Sequence, residues 1–266
     1  MVEQGPPGVN TRIPNVARMY DYYLGGKDNF AADREAAEKV LALVPEIRFS
    51  TRENRAFLGR AVRFMADAGI HQFLDIGAGL PTLQNVHQVA RAATSDSKVV
   101  YVDNDPVVGV HGRAILARDE NVSMIEGDLR RPREILDNPK VRELIDFDRP
   151  VGIMLLAILH FIADEDDPAG IIATLREAMA PGSYLVLSHV AIDARPAAAP
   201  GVRQVYSKAS TPFITRTEAE IARFFEGFEL EPPGMVNLPE WRPDGGHPVL
   251  YRGIGAYFLC GVARRI

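Results

Sequence analysis

Five short apolar runs punctuate the middle of the chain: QFLDIG (72–77), KVVYVD (98–103), VSMIEGD (122–128), VGIMLLAIL (151–159) and SYLVLSHV (183–190). Helix-period stretches separate them, and near-continuous apolar strands alternating with amphipathic helices predict a parallel sheet covered on both faces. Ahead of the first run, Ala37, Val40, Leu41 and Val44 fall on one helical face, with Asp33 as its cap and Pro45 as its stop. Phe57, Ala61, Phe64 and Met65 recur at helical spacing in a second helix, which Gly69 ends. Residues 1–14, rich in Gly and Pro, read as a disordered lead-in. After the fifth run, AIDARPAAAPG (191–201) reads as a surface loop and Thr217 opens a helix through Phe225. GFELEPPG (227–234) and GAYFLCGVAR (255–264) read as strands, with a proline-rich excursion over 232–253 between them. Two late strands joined by a long loop suit an antiparallel hairpin at the sheet edge. The pattern thus divides the chain into a lead-in (1–14), a helical cap (15–70) and a sheet domain (71–266).

Composition narrows the class. Apolar residues make up 47% of the 266 and charged residues 24%, which excludes a wholly disordered chain. The lone Cys260 excludes a disulfide framework and any multi-cysteine zinc site. No apolar run nears the roughly 20 residues a bilayer span needs, and the N-terminus has no apolar signal region. A net charge of −5 argues against a general phosphate-backbone binder. The expectation is a cytoplasmic protein acting on a small molecule, with its oligomeric state open.

The first three runs each close on a carboxylate, at Asp75, Asp103 and Asp128. Their spacing is close to one βαβ unit of about 30 residues, so all three lie along the C-terminal edge of a parallel sheet, where ligands of open α/β sheets bind. Asp75-Ile76-Gly77-Ala78-Gly79-Leu80 sits at a strand-to-helix junction, where glycines let the main chain turn sharply against a ligand. Asp103 can accept both hydroxyls of a ribose. These features suit either a dinucleotide or S-adenosylmethionine. Pro81 and Thr82 stand where a dinucleotide loop wants its last small residue, and the carboxylate at Asp75 is typical of S-adenosylmethionine sites. Asp128 can face the exocyclic amine of an adenine.

On the strings PNVARMYDYYLGGKDNF (14–30), RENRAFLGRAV (52–62), QFLDIGAGLPT (72–82), VVYVDNDPVV (99–108), LHFI (159–162) and GSYLVLSH (182–189), the sequence resembles class I S-adenosylmethionine-dependent methyltransferases. Within them it resembles a bacterial S-adenosyl methyltransferase family of unknown substrate, from about Pro14 to the C-terminus. The resemblance implies an α/β, Rossmann-like sheet of seven strands with the last antiparallel, helices on both faces and an N-terminal helical cap. It implies S-adenosyl-L-methionine as cofactor, with Gly77, Ala78 and Gly79 beside its methionine portion and Asp75 in the same turn. Asp103 and Asn104 would hold the ribose and adenosine, Asp128 and Leu129 the adenine, and residues from Ala157 to His160 would border the sulfonium.

Several positions keep two readings. Asp103 can instead cap the helix after Pro106, and Asp128 can simply end a strand. His160 is either a general base or a buried, hydrogen-bonded histidine. Arg52 and Arg55 pair either with a cofactor carboxylate or with surface carboxylates. Asp164–Asp167 near His160 resembles a cation site, but acidic residues at a helix start need no metal, and no metal is expected. Tyr20 and Tyr22 are further catalytic candidates, in a segment expected to fold over the cofactor edge about a hinge or turn at Gly25-Gly26. The expected activity is methyl transfer to a small-molecule acceptor. The rivals are a non-catalytic S-adenosylmethionine sensor and an NAD-dependent oxidoreductase, the latter disfavoured by Thr82 in the glycine loop.

Overall fold

In a computed structural model the described residues are Gly5 and 9–81, 85–116, 119–191, 196–245 and 257–266, with the side chains of 113–116 left aside. The calls on residues 1–4 and 6–8, Thr82 and 246–256 lie outside them. Each apolar run forms a strand: β1 (Gln72–Ile76), β2 (Lys98–Asp103), β3 (Val122–Glu126), β4 (Gly152–Leu156) and β5 (Tyr184–Val190). These five pair in parallel in the order β3-β2-β1-β4-β5.

The two late strands form the antiparallel hairpin expected at the sheet edge: β8 (Phe258–Arg264) runs antiparallel to β5 and pairs on its other side with β6 (Glu229–Leu230), also antiparallel. Within the proline-rich excursion, β7 (Val236–Asn237) also pairs with β8, making eight strands among the described residues. β6 bonds the Ala263–Arg264 end of β8 and β7 the Leu259–Cys260 end, so the far side of β8 is covered in two pieces. Prolines between the pieces cannot donate to a ladder, which explains the break.

Side chains alternate along the strands between two cores. Phe73, Val99, Tyr101, Met154 and Val186 join one, while Leu74, Val100, Val102, Ile153 and Leu185 join the other. The second core is closed by α8 (Pro168–Ala178), the short helices α6 (Pro132–Leu136) and α7 (Pro139–Leu144), and α10 (Glu218–Ala222). Thr217 caps α10 with a reciprocal Glu220 bond, as its position predicts. The first core takes α4 (Val86–Ala93), α5 (Pro106–Leu116) and all three N-terminal helices: α1 (Val16–Leu24), α2 (Ala31–Leu43) and α3 (Ile47–Asp67). Of the loop expected over 191–201, residues 192–195 lie outside the described residues, and its last three open α9 (Ala199–Tyr206), which packs on the same side.

The N-terminal helices share the sheet's core through Met19, Tyr23, Val40 and Phe57, each at most 1% exposed. Asp33 is not the cap of α2. It is the third residue of the first turn, where its carboxylate closes the capping box by accepting from the amide of Phe30 and also accepts from the amide of Asn15 and from Arg18 Nε. Arg18 in turn donates to the carbonyls of Asn10 and Ile13, so residues 10–14 are tied to α1. Gly25-Gly26 makes a tight turn: Gly25 adopts φ +85° as the helix cap, and a Cβ on Gly26 would lie 1.9 Å from the Asp21 carboxylate. Asp21 occupies that space to receive the amide of Asp28 and the side chain of Asn29.

Candidate active site

The C-terminal ends of β1, β2 and β4 open onto a cavity of about 830 Å³ roofed by α1 and α3. Most of the positions singled out in the sequence line it: Tyr20, Asp75, Gly77, Ala78, Gly79, Asp103, Asn104 and Ala157. Its glycine turn is pinned to β2. The amides of Gly77 and Ala78 donate to the carbonyl of Val102, and the Gly79 amide donates to Asp103 Oδ2 at 2.8 Å. Gly77 and Gly79 have φ of +78° and +67°, and a Cβ on Gly77 would come within 2.8 Å of Ile158. Only glycine fits there without moving the residue that borders the cavity.

Asp103 accepts on both oxygens, from Gly79 and from the amide of Asp105, and each oxygen keeps a second acceptor position. Burial pushes its pKa up to about 6, with the two amides opposing the rise. Burial pushes Asp75 up to about 7, the Arg55 guanidinium holding it back and the Asp103 charge adding to the rise. Two carboxylates poised near neutrality on one cavity wall, with Arg55 beside them, form a receptacle for a ligand carrying both positive groups and a carboxylate. Arg55 lines the cavity; Arg52, three positions earlier on α3, is exposed.

Ala157, directly after β4, takes φ +55°, an uncommon conformation for a residue with a Cβ, held because its amide donates to Ser188 Oγ at 3.0 Å. Ser188 Oγ donates to Asn54 Oδ1, Asn54 Nδ2 donates to Tyr20 OH, and Tyr20 OH donates to the Thr51 carbonyl. This chain of bonds ties the end of β5, α3 and α1 into one wall. Burial raises the pKa of Tyr20, so the phenol keeps its proton at neutral pH. Asn54 and Ser188 were not singled out in the sequence. The available signal was a polar residue, Asn54, on the stripe that continues into Phe57, Leu58 and Ala61.

Three candidates fall elsewhere. Tyr22 points away from the cavity, bonded to Glu38 and lying under the Arg48 guanidinium. Residues two apart on a helix face about 200° apart, so Tyr20 and Tyr22 cannot both reach one wall. Asp128 turns back on its own loop, accepting from the backbone and side chain of Arg130 at 3.0 Å. Leu129 is 4% exposed within the second core. In the acidic stretch, Asp167 caps α8 through the Gly170 amide and Asp164 pairs with Arg216.

A second cavity of about 760 Å³ adjoins the first, with Tyr20, Ala157 and Phe161 in the walls of both. His160 lines this second space. It lies in a short 3₁₀ turn that the buried Arg216 clamps through the carbonyls of Leu159 and Ile162. Burial, then His189 and Arg216, drives its pKa well below the usual histidine range, so it is neutral at physiological pH.

The receptacle suits the cofactor that the sequence resemblance implies: a turn with no room for a side chain at Gly77, Asp103 with spare acceptor positions, and Asp75 and Arg55 as opposite charges beside it. Among solved structures, the chain is 42% identical to a Thermobifida fusca YX protein provisionally assigned as a methyltransferase, with a TM-score of 0.91 over 98% of both chains. It is 39% identical to a DUF574 family protein from Streptomyces avermitilis MA-4680, with a TM-score of 0.92 over 96% of this chain and 99% of that one. The pyocyanin biosynthetic protein PhzM, 20% identical with a TM-score of 0.50 over 82% of this chain and 58% of its own, shares the fold alone. No curated protein matches the sequence. The sheet is that of the class I methyltransferases, eight strands here with an antiparallel final strand. Among the described residues, no helix is long and apolar enough to cross a membrane. A sequence model described as S-adenosyl methyltransferase matches residues 2–266, and the chain belongs to that family.

Proposed function

We propose that the protein moves a methyl group from S-adenosylmethionine to a small-molecule acceptor, and that the two adjoining cavities hold the two reactants. The observation that carries this reading is the shared wall of Tyr20, Ala157 and Phe161 between a charged, glycine-floored cavity and an apolar one. The cofactor supplies a methyl carbon already activated on a sulfonium. The chain's contribution is then alignment, which in favourable cases is worth about 7–11 kcal/mol of barrier. Asp103 and Asn104 bind the ribose, Gly77–Gly79 give the tail its cradle, Asp75 receives the amino group and Arg55 the carboxylate. Tyr20 keeps its proton and His160 is a weak base, so the wall between the cavities orients and excludes water rather than removing a proton. That arrangement suits an acceptor that is nucleophilic before it arrives.

Thermal unfolding with added ligand tests the reading. S-adenosylhomocysteine at 100 times its dissociation constant should raise stability by about 2.7 kcal/mol, and NAD should not. A shift with NAD alone would remove the proposal. A non-catalytic binder would show the same shift but no labelled methyl group on any acceptor co-purified with the protein.

The raised carboxylate pKa values give a second expectation. In the unliganded fold, what Asp75 and Asp103 contribute to stability is present below about pH 4 and lost as pH climbs through 6 and 7. A cationic ligand needs both groups ionised, so its affinity runs the other way. S-adenosylmethionine binding measured by calorimetry should weaken at least about tenfold from pH 8 to pH 5.5. A flat profile would place the amino group and the ribose elsewhere.

A further inference from the structure

The second cavity is walled by rings from distant parts of the chain. His160 stands 4.5 Å from Phe161, 5.2 Å from Phe213 and 5.9 Å from Phe258, centroid to centroid, and Tyr206 stacks on Phe213 at 5.3 Å. None of the described residues lining it is Asp, Glu, Lys or Arg. Several hydroxyls on its walls are already engaged. Thr51 donates to the Arg48 carbonyl, Thr215 accepts from Arg203, and the phenols of Tyr23 and Tyr206 face each other at 3.5 Å. His160 differs. It is 4% exposed, and its Nδ1 is buried with no hydrogen-bond partner. A buried polar nitrogen without a partner costs free energy that a ligand group can recover.

Resting on the methyltransferase reading, we propose that this chamber takes the methyl acceptor, and that the acceptor is an uncharged, flat, largely apolar ring compound with one polar group directed at His160. An ionised acceptor would enter a space with no counter-charge, whereas ring faces and edges suit another aromatic system. Tyr20, Ala157 and Phe161 line both cavities, so a molecule in this chamber lies beside the glycine-turn cavity.

The probes are 2-naphthol, naphthalene and 2-naphthoate, titrated at neutral pH into the full chain with and without saturating S-adenosylhomocysteine. Expected is binding of 2-naphthol in both states, with 2-naphthoate weaker by at least about tenfold. Ala198→Trp, which fills the chamber from its rim, should abolish naphthol binding and leave S-adenosylhomocysteine affinity unchanged. His160→Phe should erase the preference for 2-naphthol over naphthalene while keeping naphthalene binding. Equal or tighter binding of 2-naphthoate would overturn the proposal on the unaltered protein, whatever the variants do. So would naphthol binding that Ala198→Trp leaves intact, or no naphthol binding by protein that takes up S-adenosylhomocysteine. Naphthol binding by protein that refuses S-adenosylhomocysteine would keep the ligand chamber and overturn its acceptor role, so the two failures are told apart.

Discussion

Replacing Asp103 by alanine should weaken S-adenosylhomocysteine binding by at least about tenfold, because two hydrogen bonds from ribose hydroxyls to a carboxylate are worth about 1.5–3 kcal/mol each. The fold should survive. The substitution removes the acceptor of the Gly79 and Asp105 amides, which destabilises, but it also removes a buried carboxylate whose pKa is pushed up to about 6. Losing that unfavourable buried charge offsets part of the loss of the two bonds. Calorimetry beside a urea titration separates the two effects. Unchanged affinity would put the ribose elsewhere, and collapse of the fold would make Asp103 chiefly a clamp on the glycine turn.

Arg18→Ala should cost more stability than any single change at the cofactor cavity. The guanidinium is 3% exposed, bonded to Asp33 at 2.8 Å and 3.6 Å from Asp105, and both carboxylates are buried. Removing one partner of such a cluster leaves uncompensated charge in the interior, which typically costs about 3–5 kcal/mol. The midpoint of urea unfolding should fall accordingly, and Arg18→Ala combined with Asp33→Asn should recover part of the loss. A loss under about 1 kcal/mol would mean that water reaches the cluster. The same cluster rules out the simplest test of the N-terminal segment. Deleting residues 1–30 removes Arg18 and strands Asp33 and Asp105 inside the protein, so a loss of binding would not report on Tyr20 alone.

Local signals carried the sheet and most of the cofactor wall. Apolar runs ending in carboxylates placed β1 to β3, and Gly77-Ala78-Gly79 marked the turn because positive φ and close approach leave only glycine suitable at Gly77. What the sequence hid was non-local. Strand β7, inside the stretch 232–253 that reads as an irregular excursion, depends on pairing with Leu259 and Cys260, and no local pattern encodes it. Tyr20 and Tyr22 look alike in one dimension, and only the orientation of α1 decides which one meets the cavity. Asp33 reads as a cap because its role inside α2 depends on Arg18 and Asn15 from another helix. The rings of the second chamber come from the segments near 160, 206, 213 and 258, and nothing in sequence brings them together.

The two-piece cover on β8 carries a consequence for the order of folding. Strands β1 to β5 can assemble from neighbouring βαβ units, but β6 and β7 have no partner until residues 258–264 are in place. Until then β5 presents an open row of amides and carbonyls, the kind of edge that recruits other chains. A nascent or partly unfolded molecule lacking β8 is therefore the species most exposed to misassembly, although the β1, β2 and β4 ends that open onto the glycine-turn cavity are already paired in it.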